Sequence, residues 1–284
     1  MNFKNVIKKF LPNFLLSILV KIINKIRLRK FYSLKKLECD TKNLFSYESI
    51  DLIKIFNNEG ILNLWNHWQD KLRSFDISDV KAGVNSGDQK AIFFLICYLK
   101  PKSILEIGTH IGASTINIAS ALNYNQKEED TKPILKTVDI RDVNSILKKP
   151  WLEYGMTKSP IEMTQELESP FSVDFITENS IDYLEKTSDS FDFIFLDGGH
   201  LPETVYQEIP KALKKLKKDG VILLHDYFPN GKPLWPNNYV LQGPYLATER
   251  LIKESDIKIL PLGSLPWKTK LGSNKTSLAL CLKK

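Results

Sequence analysis

Ser103-Ile-Leu-Glu-Ile-Gly-Thr-His-Ile-Gly-Ala-Ser-Thr115 decides the fold of this 284-residue chain. An apolar run, Ile104–Ile107, leads into Gly108 and Gly112, and a helical pattern opens at Ala113-Ser114-Thr115. Strand, glycine turn and helix start in that order present backbone N–H groups and a helix N-terminus to a ligand. Glu106, almost at the end of an apolar strand, is a charge in an expensive place unless something pairs with it. The stretch reads as the lip of a nucleotide-type pocket.

Outward from it the pattern alternates. Upstream, a helix from Ser86, its predicted cap, runs to Leu99 and Pro101 stops it. Downstream come a helix over 113–122, a polar loop over 123–132, a strand over 134–140 and a helix over 143–148. A long connection with Pro150 and Ser159-Pro160 leads to a strand over 173–176 and a helix capped by Asn179-Ser180. A nearly all-apolar strand over 191–196 precedes a helix over 202–217, then a strand over 221–224, a loop over 229–244 and a helix over 246–254. Two last strands, 257–262 and 277–282, have no helix between them. Strands alternating with helices predict an α/β, doubly wound, mostly parallel sheet covered on both faces. The last two strands cannot form a right-handed parallel crossover, so they should pair antiparallel at one edge.

In such a sheet ligands sit outside the carboxyl ends of the strands. Those ends hold Glu106, Asp139, Asp197, His200, His225 and Asp226. One acidic residue after a strand is usually a cap or turn former; carboxylates at four ends of five are harder to attribute to turns. The spacing G-T-H-I-G departs from the G-x-G-x-x-G of nicotinamide sites, which weakens the dehydrogenase reading. Asp139 is placed to accept from both hydroxyls of a ribose, with pairing to Arg141 as the alternative. Asp197 and Asp226 should project from neighbouring strand ends toward one spot and suit Mg²⁺, while His225 would tilt the site toward Mn²⁺. His200, three residues after Asp197, reaches the same rim and suits a general base.

The formal charge of +7 is unevenly placed. Residues 1–37 carry eight Lys and two Arg and no acid, +10, so the rest is +7 − 10 = −3. A mildly acidic body argues against nucleic-acid binding. Three scattered cysteines without a CxxC pair argue against a disulfide framework and suit a cytoplasmic chain. Within 1–37, apolar residues recur at helical spacing from Phe14 to about Arg29, too short an uncharged run to span a bilayer. The segment reads as an interfacial helix on an anionic membrane face, or as a helix packed on the domain or on a partner subunit of a homo-oligomer. Residues 38–85 read as a helical extension and 86–284 as the ligand-binding domain.

Leu105-Glu-Ile-Gly-Thr-His-Ile-Gly-Ala-Ser114, Asp139 and Phe191-Asp-Phe-Ile-Phe-Leu-Asp-Gly-Gly-His200 give residues 86–284 a resemblance to the class I S-adenosylmethionine-dependent methyltransferases. That family's sheet is seven-stranded, Rossmann-like, with a reversed strand at its end. Asp197-Gly-Gly-His200 with Leu223-Leu-His-Asp-Tyr227 resembles the metal-dependent group that methylates sugar hydroxyls of natural products and glycans. The resemblance implies Asp197 and Asp226 as ligands of Mg²⁺ or Mn²⁺ and His200 as base. It departs at His225, where the family often has an acid, leaving the third ligand open. It further implies that Glu106, Gly108 and Gly112 hold the methionine end of the cofactor, Asp139 the ribose and Ser180 or Asn179 the adenine edge, with Asp197 bordering cofactor and metal. The acceptor is then a small-molecule or lipid-linked sugar, walled by Trp151, Tyr154, Tyr227, Trp235 and Tyr239. A nicotinamide dehydrogenase and a non-catalytic adenosyl-binding scaffold at the membrane are the competing readings.

Overall fold

Seven segments of five to nine residues, each built around apolar side chains, become the strands: β1 (Ser103–Ile107), β2 (Ile134–Asp139), β3 (Val173–Thr177), β4 (Phe191–Leu196), β5 (Leu216–Leu224), β6 (Ile257–Pro261) and β7 (Ala279–Lys283). The computed structural model describes residues 13–79, 81–129 and 132–284. The strands form one seven-stranded sheet in the order β3-β2-β1-β4-β5-β7-β6. β1 to β5 pair in parallel, and β7 is antiparallel to both its neighbours. The expected antiparallel pairing of the last two strands is present, with β7 inserted between β5 and β6, so that β6 is outermost. Order reverses between β1 and β4, where a ligand crevice belongs.

The chain divides into two compact units, Met1–Leu37 and Glu38–Lys284. In the first, α1 (Asn13–Tyr32) exposes Leu15, Ile18, Ile22 and Ile26, spaced three or four apart. Residues 1–12 of the basic segment lie outside the described residues. Among the described residues no helix is long and apolar enough to cross a membrane.

In the second unit, α2 (Leu52–Phe56), α3 (Glu59–Arg73), α4 (Ser86–Leu99) and α5 (Ala113–Glu129) share one core. α4 is apolar all round, with Ala91 to Ile96 at most 1 % exposed, because it has the sheet side on one flank and α2 and α3 on the other. Trp65 of α3 meets Phe93 edge-on at 5.3 Å, and Phe94 lies 4.9 Å from Trp267. α6 (Pro160–Gln165), α7 (Ser180–Lys186), α8 (Pro202–Leu213) and α9 (Gly243–Glu254) complete the layers. Successive strand residues face opposite sides of a sheet. Ile104, Phe193, Phe195, Val221 and Leu223 join the α4–α5 core, and the same parity carries Glu106 and His225 to that side.

Several boundaries differ from the sequence reading. α5 does not stop at Leu122 but runs to Glu129, because Asn123 and Asn125 are buried and Asn125 Nδ2 donates to the Ile96 carbonyl at the end of α4. The expected helix over 143–148 is a run of turns, held by Ser145 N–H to Asp142 O and Lys149 N–H to Ser145 O. The expected helix over 202–217 ends at Leu213, and β5 begins at Leu216, continuing through Asp219-Gly220. The helix cap before Gly87 is Asn85, whose side chain accepts from Asp88 N–H, rather than Ser86. The connection over 150–172 contains α6, opened by a Ser159–Glu162 capping box.

Candidate active site

A cavity of about 740 Å³ opens over the carboxyl ends of β1, β2, β4 and β5. Gly108, Asp139, Ser180, Asp197, His200 and Asp226 all line it. Gly108 has φ +99°, and a Cβ there would overlap the Asp197 carbonyl oxygen and lie 2.7 Å from its carbon. Only glycine lets the end of β1 run this close to the end of β4.

Asp139, 8 % exposed, lies at the end of β2. Its Oδ2 accepts from His110 N–H at 2.9 Å, and its Oδ1 from Arg141 N–H at 2.9 Å and Arg141 Nε at 3.3 Å. The Arg141 pairing is therefore present, and it leaves about one of four acceptor positions on this carboxylate open to the cavity. Asn179 caps α7 and lines the cavity beside Ser180, whose Oγ donates to Glu208 Oε1 at 2.5 Å.

Glu106 does not face the cavity. Its parity points it at α5, where it is fully buried and accepts from Ser114 Oγ and Thr115 Oγ1 at 2.5 Å and from Thr137 Oγ1 at 2.6 Å. Thr137 is its register partner on β2. The carboxylate thus ties β1, β2 and the first turn of α5 together instead of holding a cofactor. Burial pushes it up to about 7, against those three hydrogen bonds. Gly112 is likewise corrected: with φ +81°, a Cβ there would meet Pro160 Cβ at 3.0 Å, so it admits α6 rather than a ligand.

At the ends of β4 and β5, Asp197, His225 and Asp226 each offer one atom within 4.8 Å of the others. His225 Nδ1 lies 2.9 Å from Asp197 Oδ1 and 3.7 Å from Asp226 Oδ1. His200 Nε2 is 2.8 Å from Asp226 Oδ2 and 3.8 Å from Asp197 Oδ1. Those two carboxylates raise His200 to about 10, and Asp226 is the closer partner. Burial opposes charge on Asp197, yet His225 and the His200 contact hold it down at about 2. Burial also opposes charge on His225, but Asp197 and Asp226 keep it well above its ordinary value.

Two carboxylates at the edge of an open cavity, with a buried imidazole behind them, suit a divalent cation. One further observation supports the fit. His225 Nε2 and Asp88 Oδ1 are buried without a hydrogen-bond partner, and Asp88 Oδ2 lies 3.5 Å from His225 Nε2. Asp88, fully buried at the start of α4, stands behind the imidazole as a carboxylate behind a ligating histidine does.

Sequence reasoning missed Asp88, Glu208 and His110. Asp88 and Glu208 each appear as one polar residue on a helix, and only tertiary packing brings them to the site. His110 sits inside the glycine turn with φ +50°, its Nε2 3.0 Å from Lys81 O and its ring edge-on to Tyr154 at 4.4 Å. Of the five aromatics expected as acceptor walls, Tyr239 lines the cavity and is 45 % exposed. Trp151, Tyr227 and Trp235 are buried, and Tyr154 packs on His110.

Residues 105–227 match the family model of a methyltransferase domain. No curated protein is significantly similar in sequence. Among solved structures, the chain is similar to an S-adenosylhomocysteine-bound methyltransferase of Podospora anserina, with 18 % identity and TM-score 0.51 over 88 % of this chain and 100 % of that one. It is also similar to cofactor-bound Rv0187 from MTB, with 14 % identity and TM-score 0.51 over 78 % and 89 % of the two chains. The O-methyltransferase TomG of Streptomyces achromogenes, in complex with S-adenosylmethionine, shares 19 % identity at TM-score 0.49 over 80 % and 91 %. The reversed β7, the glycine turn of β1 and the matched segment 105–227 give this chain the Rossmann-like fold of a methyltransferase domain.

Proposed function

We propose that the chain transfers the methyl group of S-adenosylmethionine to a hydroxyl of a sugar, a glycan or a related natural product, with help from a divalent metal. One observation carries the reading: Asp197, His200 and Asp226 line the cavity that also holds Gly108, Asp139 and Ser180, and the buried His225 lies behind the two carboxylates within 4.8 Å of both. The S-adenosylhomocysteine bound to the Podospora protein supports the cofactor. Gly108 lets the backbone approach the methionine end, Asp139 offers its open acceptor position to the ribose, and Asn179 and Ser180 border the adenine. Asp197, His225 and Asp226 would hold Mg²⁺ or Mn²⁺, which when bound supplies Lewis acidity to the acceptor hydroxyl. His200, at the rim beside Asp226, is positioned to take the hydroxyl proton in the state where Asp197 and Asp226 are neutralised by the cation they would hold, since those two carboxylates are what raise it. The protein's remaining contribution is orientation of the two reactants and exclusion of water. Calorimetry with S-adenosylhomocysteine, with and without Mn²⁺ or Mg²⁺, tests this. Binding strengthened or accompanied by metal uptake is expected, and no binding in either condition ends it.

For residues 1–37 we propose attachment to an anionic membrane face. The support is the exposed stripe Leu15, Ile18, Ile22 and Ile26 in a segment of ten cations and no acid. Sedimentation with phosphatidylserine vesicles should depend on this segment and fade with salt. Sedimentation unchanged by deleting residues 1–37 would sink it.

A further inference from the structure

We propose that Lys270 is the specificity residue of the acceptor half of the cavity, and that the acceptor is a sugar bearing an anionic group, phosphate or carboxylate. This rests on the methyl-transfer reading above. Lys270 lines the same cavity as His200 and Asp226, together with Tyr239 and Asn237. Its Nζ lies 5.1 Å from the centroid of Trp235 and 5.8 Å from that of Tyr239, within cation–π range of both rings.

The charge balance around the cavity singles this residue out. Arg141 meets Asp139, His200 meets Asp226, His225 meets Asp197, and Lys186 meets Glu178. Asp79 accepts from Ser86 N–H and Oγ. Among the described residues no carboxylate lies within ion-pair distance of Lys270. A half-buried ammonium facing a cavity without a counter-charge is a place for an anionic ligand group.

The support of Lys270 is built rather than floppy. Thr269 N–H donates to Ser273 O at 2.7 Å, Thr269 Oγ1 to Lys275 O at 2.5 Å, and Ser273 N–H to Lys270 O at 3.1 Å. Trp235 Nε1 donates to Lys275 O at 3.1 Å, joining the loop after β5 to the loop before β7. Tyr239 lines the cavity together with Asp226, His200 and Lys270, its ring centroid 5.8 Å from the ammonium. A sugar ring lying on the exposed face of Tyr239 would therefore set its hydroxyl toward His200 and its anionic substituent toward Lys270.

The test uses the full chain loaded with S-adenosylhomocysteine and matched probes: hexose 1-phosphates, hexuronates and neutral methyl hexosides of the gluco, galacto and manno series. Affinities are read by ligand-observed NMR for wild type and Lys270→Gln. The tightest probe should be anionic, at least roughly tenfold tighter than its neutral partner, the value of one charged hydrogen bond. The phosphate and uronate arms say which anion fits. Lys270→Gln should abolish the tenfold preference while cofactor affinity stays within about twofold. Equal binding of anionic and neutral probes, a preference that survives Lys270→Gln, or no probe binding overturns the proposal while the methyl-transfer reading stands on its own calorimetry. A fall in S-adenosylhomocysteine affinity in Lys270→Gln overturns it too, because the anion met by Lys270 would then be the cofactor's own carboxylate.

Discussion

Glu106→Gln should change how the stability of this protein depends on pH. Burial pushes the Glu106 carboxyl from its ordinary 4.5 up to about 7, although Ser114, Thr115 and Thr137 donate to it. A carboxyl raised in the folded state contributes fully below its unfolded value, and the contribution is lost as pH rises through the folded value. The window is therefore pH 4.5 to about 7. In it the unfolded chain gives up this proton and the folded chain keeps it. At 1.36 kcal/mol per pH unit the interval is worth about 3 kcal/mol, a large part of a typical stability of roughly 5–15 kcal/mol.

Glutamine fills nearly the same volume and cannot ionise. The wild type should accordingly lose about 3 kcal/mol relative to Glu106→Gln between pH 4.5 and 7.5. Urea unfolding at half-unit pH steps, followed by tryptophan fluorescence and far-UV circular dichroism with m checked for constancy, measures it. The comparison cancels Glu208, also raised to about 7 by burial, because both proteins carry it. It also cancels His200 and His225, whose raised values act mainly above pH 6.5. A difference that stays constant across the window would refute the reasoning, since three hydroxyl donors would then suffice to keep the buried carboxylate charged at pH 5.

Three further outcomes follow from the site. Gly108→Ala puts a Cβ against the Asp197 carbonyl at φ +99°, so it should cost about 2–5 kcal/mol in urea unfolding and weaken S-adenosylhomocysteine binding in calorimetry. His200→Ala should keep cofactor affinity and lose turnover by roughly 10²–10⁴-fold once an acceptor is in hand; retained turnover removes His200 as the base. Asp88→Asn should weaken Mn²⁺ binding by about 10–100-fold in metal titration, because the carboxylate behind His225 is gone, and an unchanged Mn²⁺ affinity would remove Asp88 as the support of that imidazole.

The strands were legible because apolar runs bounded by glycine, proline and asparagine have few other uses, and the rule that ligands sit at strand ends located the cavity. The placement of Asp197, His200 and Asp226 on that cavity followed from position alone. What escaped was set by side-chain parity and by contacts distant in sequence. Glu106 looked like a cavity residue because it is near the end of β1, yet a strand's period of two turns it to α5, where Ser114 and Thr115 lie on one element and Thr137 on another. The polar residues after Leu122 looked like a loop because their acceptor, the Ile96 carbonyl, is on α4. The α6 start was readable: Ser159-Pro-Ile-Glu162 carries a capping box with proline at its first position.

The two kinds of partner given to the buried acids set the ends of β4 and β5 apart from that of β1. Glu106 and Glu208 are met by hydroxyls, which stay neutral, so burial decides and both are pushed up to about 7. Asp197 is met by imidazoles, which can take the opposite charge, so it is held down at about 2 although burial opposes its charge as well. A hydroxyl-paired acid in the interior stabilises the turn around Gly108 best by shedding charge. An imidazole-paired acid keeps its charge at the cavity edge, where a cation or a developing proton can meet it. The parity of β5 then separates the neighbours His225 and Asp226. One turns inward to Asp88 and the other outward to His200, so a single strand end reaches both the buried core and the cavity rim.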